Sequence, residues 1–189
     1  MAWEIEILAK LECDLEEAKQ KLHKFEYVGS EKTIDIYFFD PKRENLQPSQ
    51  DGKILECFRL RKKGNDFKLA FKVDHYDGET WKYSDETEIS VSDFEGCNKI
   101  ILLLGLKQLV IVDNTKHIYL TDGYEIVLEE VKNLGNFIEV EAVIGESTLL
   151  PDDVKVNVRN FMSSLGIQMG EELNSGKPEL LIKKQLESK

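Results

Sequence analysis

Four short stretches of the chain set like charges at even spacing around apolar residues: Glu4-Ile5-Glu6, Arg59-Leu60-Arg61, Lys68-Leu69-Ala70-Phe71-Lys72 and Glu139-Val140-Glu141. In a β-strand, residues i and i+2 share a face, so each stretch would stand its charges side by side. Glu4, Glu6, Glu139 and Glu141 would then offer hard oxygen ligands of the kind that hold Mg²⁺ or Mn²⁺. Arg59 and Arg61 carry planar donor forks that grip phosphate oxygens, and Lys68 and Lys72 add point charges. A triphosphate bridged by metal on one side and by bases on the other would balance such a face. The wet side of an ordinary antiparallel sheet explains any one of these strands equally well. Solvated faces mix signs, however, whereas these strands separate acid from base, and like charges two apart repel unless a counter-charge lies between them.

Other chemistry finds little support. His23, His75 and His117 fall on different segments without ligand spacing, and Asp35 and Tyr37 share a strand face that ordinary pairing explains. No Gly-rich segment joins a strand to a helix as phosphate-cradling loops require, and no Ser/His/Asp or Cys/His arrangement is visible. The 189 residues suit one well-buried domain spanning 1–189. A net charge of −11 excludes a general nucleic-acid binder but leaves room for a local basic pocket. The three cysteines lack CxxC spacing and read as packed thiols rather than a disulfide frame or zinc site. With no basic leader before an apolar core and no apolar run near the length of a membrane span, a soluble, cytoplasmic protein without a membrane partner is expected.

The elements that must position the charged pairs follow from periodicity. Residues 3–12 alternate, with Trp3, Ile5, Ile7, Ala9 and Leu11 on one face and Glu4, Glu6, Leu8, Lys10 and Glu12 on the other. Helical spacing begins at Leu15, with Asp14 as N-cap and Gly29 just past the end. Strands are expected over residues 32–40, 54–63, 66–74, 80–91, 108–112, 115–120, 124–131 and 136–144. Turns at Lys63-Gly64-Asn65, Asp77-Gly78 and Asp122-Gly123 link several of them as hairpins. Helices are expected over 93–104, 151–165 with Pro at its first turn, and 178–185. The pattern is α+β, and so many consecutive antiparallel strands favour a closed or nearly closed eight-stranded antiparallel β-barrel with flanking helices.

In this order the motifs resemble those of the CYTH superfamily, the triphosphate tunnel metalloenzymes, and within it the class IV adenylyl cyclases. Glu4-Ile5-Glu6-Ile7-Leu8 resembles the opening ExExK, and Asp35-Ile36-Tyr37-Phe38-Phe39-Asp40 the aromatic second strand ending in Asp. Arg59-Leu60-Arg61, Leu69-Ala70-Phe71-Lys72 and Glu86-Thr87-Glu88 resemble the following strands. Leu128-Glu129-Glu130-Val131, Leu134-Gly135-Asn136-Phe137 and Glu139-Val140-Glu141 resemble the closing acidic strands, and Glu179-Leu180-Leu181 the terminal Tyr-x-Glu/Asp-Leu-Leu.

The resemblance implies a tunnel that takes a triphosphate end-on, with Mg²⁺ or Mn²⁺ held by Glu4, Glu6, Glu129, Glu139 and Glu141. It implies substrate contacts from Arg59, Arg61, Lys68, Lys72, Glu86 and Glu88, with Arg61, Lys72 and Lys116 nearest the chemistry. The activity implied is conversion of ATP to cyclic AMP and pyrophosphate. Hydrolysis of tripolyphosphate or thiamine triphosphate, or binding without turnover, would use the same tunnel. A homodimer is implied by the cyclase resemblance alone. Two bases depart from the pattern. Leu8 stands at the Lys of ExExK, leaving Lys10 on the same strand face to reach inward. Asn114-Thr115-Lys116 stands at the Lys-x-Arg ahead of Tyr119.

Overall fold

The computed structural model describes residues 3–143 and 150–187, the side chains of Trp3 and Glu4 excepted. The chain runs β1 (Trp3–Glu4), β2 (Glu6–Leu11), α1 (Leu15–Lys21), β3 (Glu26–Phe39), β4 (Glu56–Lys63), β5 (Asp66–Asp77) and β6 (Thr80–Val91). It continues through α2 (Phe94–Leu103), β7 (Lys107–Thr121), β8 (Tyr124–Val131), β9 (Gly135–Ala142), α3 (Pro151–Ser164), β10 (Met169–Glu172) and α4 (Lys177–Glu187). Among the described residues the strands form one antiparallel sheet in the order β1-β6-β5-β4-β3-β7-β8-β9-β2-β10. No described helix is long and apolar enough to cross a membrane.

The α+β class holds, but the closed eight-stranded barrel does not form. The sheet curls into a half-barrel, and its opening strand is broken at Ile5. Only Trp3 and Glu4 lie against β6, while Glu6–Leu11 turns to β9. The free edge of β2, which closure would need, is covered by β10 through Met169↔Leu11 and Glu172↔Ala9, and by the Leu173 N–H donating to the Leu8 carbonyl. A covered edge offers no ladder groups to a further strand.

Three apolar clusters set the curl. On the outer face, Ile5, Ile7, Leu128, Ile138 and Val140 pack against Leu22 of the α1 end and Val154, Val158 and Met162 of α3. A second outer cluster seats α2 through Phe94 and Ile101 on Ile36, Phe38 and Leu60. The third lies inside the curl, where α4 inserts Leu181 and Ile182 among Leu8, Tyr37, Val110, Val112, Val131 and Phe137. Each such full burial of a large aliphatic side chain contributes about 1.5–3 kcal/mol. Leu8, Tyr37 and Val112 of this cluster also line the cavity that holds the charged residues, so α4 packs directly beside it.

Several boundaries move. β3 begins at Glu26 rather than near residue 32, so Gly29 (φ +150°) sits in a strand irregularity instead of ending α1. The two strands expected over 108–112 and 115–120 are one continuous β7. The segment before β4 is tied down: Leu46 is buried, and the Ile54 N–H donates to the Glu179 carboxylate at 2.8 Å.

Candidate functional site

The inner face of the half-barrel encloses a cavity of about 500 Å³. Strand alternation puts Glu6 and Leu8 of β2, Arg59 and Arg61 of β4, Lys68 and Lys72 of β5, Glu86 and Glu88 of β6, Asn114 and Lys116 of β7, and Glu139 and Glu141 of β9 on its wall. The residues between them (Leu60, Ile138, Val140) face the outer clusters, which fixes the charged set inward. Eleven of the residues expected from sequence are therefore placed at or behind one cavity: ten on its wall, with Glu129, fully buried, just behind. Glu4 lies outside the described side chains. Lys10 does not join them; it is exposed and off the cavity wall, opposite Phe137 in the β2–β9 ladder.

The basic wall is held by acids. Asp35, directly opposite Arg61 in the ladder, receives Arg61 Nε at 2.8 Å and Nη2 at 2.7 Å, a two-point clasp. Burial acts to raise the pKa of Asp35, yet the hydrogen bonds and charge of Arg61 outweigh it and hold the carboxyl below its ordinary value. Arg59 Nη2 donates to Glu86 at 2.7 Å, and its buried Nε has no hydrogen-bond partner. An unmatched buried donor costs about 1–3 kcal/mol, which an incoming phosphate oxygen would recover. Lys68 Nζ lies 2.5 Å from Glu88. Cys57 also lines the cavity, but burial pushes its thiol up to about 12, so it stays protonated and is no nucleophile at neutral pH.

The lowered carboxyl of Asp35 has a consequence for stability. A carboxylate with a depressed folded pKa contributes stability above its unfolded value, and that contribution is lost as pH falls through the folded value. Asp35→Asn is expected to be less stable than the unaltered chain at pH 7, with the gap narrowing below about pH 4. Urea midpoints from pH 7 to pH 3 measure it; a gap independent of pH would refute the clasp.

The acidic wall sets carboxylates opposite one another. Glu6 stands directly across from Glu141, and Glu141 from Glu125, so three acids share one row on β2, β9 and β8. Like charges in facing positions repel. Burial raises the pKa of Glu125, against the pull of Lys116, and the charge of Glu139 adds to the rise. The two walls meet where Lys72 Nζ reaches 3.8 Å from Glu6. Among the described residues no three carboxylate, imidazole or thiol groups converge at metal-ligand spacing. Glu6, Glu139 and Glu141 are nevertheless hard oxygen donors on adjacent strands, and a row of facing carboxylates fits a divalent cation in chemical kind.

Two residues at this site carry more than the sequence suggested. Asn114 is buried, accepts from the Thr33 hydroxyl, and donates from Nδ2 to Glu129 at 2.5 Å. Lys177, at the start of α4, enters the cavity wall and places Nζ 2.6 Å from Glu129 and in hydrogen bond with Glu139. Burial would raise the pKa of Glu139, but the charges of Lys177 and Lys116 overcome it and hold the carboxyl below its ordinary value. The available signal for Lys177 was that it stands where the terminal Tyr-x-Glu/Asp-Leu-Leu pattern has its tyrosine, two residues before Glu179.

The chain is similar to known proteins in sequence and in fold. The family model described as the CYTH domain matches residues 3–175. A curated protein of Methanocaldococcus jannaschii, "Putative adenylate cyclase MJ0240", is 24% identical over 186 residues, 97% of each chain. Among solved structures, the PH1819 protein from Pyrococcus horikoshii OT3 superposes with a TM-score of 0.79 at 26% identity, covering 96% of this chain and 99% of its own. HpAC1 from Hippeastrum, described as an adenylyl cyclase candidate with a dominant triphosphatase activity, superposes at 0.64 with 17% identity, covering 96% and 95%.

Proposed function

We propose, from the premise that this chain belongs to the CYTH domain family, that it is a metal-dependent enzyme acting on a triphosphate, of the class IV type that converts ATP to cyclic AMP and pyrophosphate. The observation that carries the proposal is the lining of one cavity by both bases and acids. Arg59, Arg61 and Lys72 come from β4 and β5, and Glu6, Glu139 and Glu141 from β2 and β9.

In this scheme Arg59 and Arg61 bind phosphate oxygens, their forks oriented beforehand by Glu86 and Asp35, so little rotamer entropy remains to be lost. Lys72 and Lys116 neutralise the charge that grows on the departing pyrophosphate. Glu6, Glu139, Glu141, Glu4 and Glu129 are the proposed set for Mg²⁺ or Mn²⁺. When bound there, such an ion supplies Lewis-acid polarisation and lowers the pKa of the attacking hydroxyl. The nucleophile is the ribose 3′-hydroxyl, which agrees with a cavity whose one thiol is held protonated.

A second reading keeps the cavity and hydrolyses the terminal phosphate, with tripolyphosphate or thiamine triphosphate as substrate. The state of Asn114 favours it, since that side chain is engaged by Thr33 and Glu129 and offers no cation to a nucleotide. Incubation with Mn²⁺ and ATP, tripolyphosphate or thiamine triphosphate, followed by separation of products, decides between them. Cyclic AMP with pyrophosphate is the expected outcome. Orthophosphate without cyclic AMP would replace the cyclase by the hydrolase.

A further inference from the structure

Leu8 and Asn114 stand at two strand positions where the motifs that this chain resembles carry a base. Both sit beside an acid, half-buried Glu139 and buried Glu129. Leu8 pairs directly with Glu139 in the β2–β9 ladder, and Asn114 donates to Glu129. One side chain reaches both acids from a different element: Lys177 Nζ is 2.6 Å from Glu129 and hydrogen-bonds Glu139. We propose that Lys177, delivered by the start of α4, is the cation that replaces both strand-borne bases and binds a phosphate group of the substrate. The proposal deepens the triphosphate reading of the cavity and rests on it.

The exchange of Leu8 for Lys177 follows from packing. Leu8 is 7% exposed and belongs to the apolar seat that receives Leu181 and Ile182 of α4. A lysine at position 8 would push an ammonium into that seat, whose desolvation cost is several kcal/mol without a partner. Leucine there admits the helix, and the helix returns a cation at its first residue.

The entry of Lys177 is fixed from behind by Glu179. Its carboxylate accepts the Gly176 N–H at 2.7 Å and the Ile54 N–H at 2.8 Å, clamping the start of α4 to the segment before β4. Lys177 Nζ stands in ion pairs with both Glu129 and Glu139. An ammonium has three donors. Glu129 and Glu139 engage two, which leaves a third for a phosphate oxygen in the cavity that Lys177 lines.

A bland alternative makes Lys177 a counter-ion that only keeps Glu129 and Glu139 in place. The two roles separate when Mn²⁺ and phosphate are titrated apart. The full chain and Lys177→Gln are titrated calorimetrically with Mn²⁺ alone, and with inorganic tripolyphosphate in the presence of Mn²⁺. Loss of a charge-assisted hydrogen bond is expected to weaken tripolyphosphate about ten- to hundredfold. Affinity for Mn²⁺ alone should hold or rise, because a competing cation has gone. Unchanged tripolyphosphate binding in Lys177→Gln overturns the inference, as does parallel loss of both ligands. If Lys177→Gln does not fold, Lys177→Arg keeps both ion pairs and takes its place. There a change of more than about threefold in tripolyphosphate affinity at constant Mn²⁺ affinity supports the contact, and no change in either overturns it. Failure of the unaltered chain to bind tripolyphosphate would instead sink the triphosphate reading itself.

Discussion

An Arg61→Ala chain is expected to lose triphosphate turnover by about 10²–10³-fold and to melt well below the unaltered protein. Both effects come from one pair. Arg61 offers a two-point fork to Asp35 and stands on the cavity wall, where its remaining donor capacity would meet phosphate in the proposed reaction. Its removal takes away a preoriented cation from the transition-state charge. It also leaves Asp35, 3% exposed, as a buried carboxylate without its partner. Breaking a buried pair from one side costs about 3–5 kcal/mol, which for a chain of this size is a fall of about 6–20 °C in melting temperature. Arg61→Lys should restore much of the stability but little of the turnover, because a point charge cannot span both Asp35 oxygens and still address phosphate. Turnover equal to the unaltered chain in a folded Arg61→Ala protein would remove Arg61 from the site.

Glu139→Gln should raise the Mn²⁺ concentration needed for half-maximal activity by about 10–100-fold and lower the maximal rate. Its carboxyl is held below its ordinary pKa by Lys177 and Lys116, so it is charged at neutral pH and available to a divalent cation. The substitution is gentle on the fold. Glutamine keeps the shape and an acceptor oxygen, and Lys177 keeps Glu129 as its charged partner. Activity measured across a Mn²⁺ titration reads the effect directly. An unchanged half-activation point with reduced rate would assign Glu139 to holding Lys177 alone.

What the sequence revealed depended on whether a residue's partners lay in the same periodic pattern. The alternation of β5 and the Glu-x-Glu and Arg-x-Arg strands put nine charged side chains on one wall, because period two decides the face. Face does not decide depth along the curl. Lys10 shares the inward side of β2 with Leu8 but stands about 7 Å farther along the strand, beyond the seat of α4, and ends in solvent. The opening of the barrel was illegible for a similar reason. β10 is Met-Gly-Glu-Glu, four residues with no alternation, and only its docking on Ala9 and Leu11 makes it a strand. Asp113-Asn114 looks like a turn between two strands; it is interior to β7 because Asn114 is held by Thr33 and Glu129 from neighbouring strands. Lys177 was hidden because its partners lie 38 and 48 residues away in sequence.

The central claim is that one cavity binds a triphosphate between a basic wall and metal-bearing acids. Calorimetric titration of the unaltered chain with inorganic tripolyphosphate, with Mn²⁺ and then with the metal chelated, tests it most directly. Saturable binding at one site per chain, weakened at least about tenfold by chelation, is the predicted result. No binding, or binding indifferent to the metal, would contradict it.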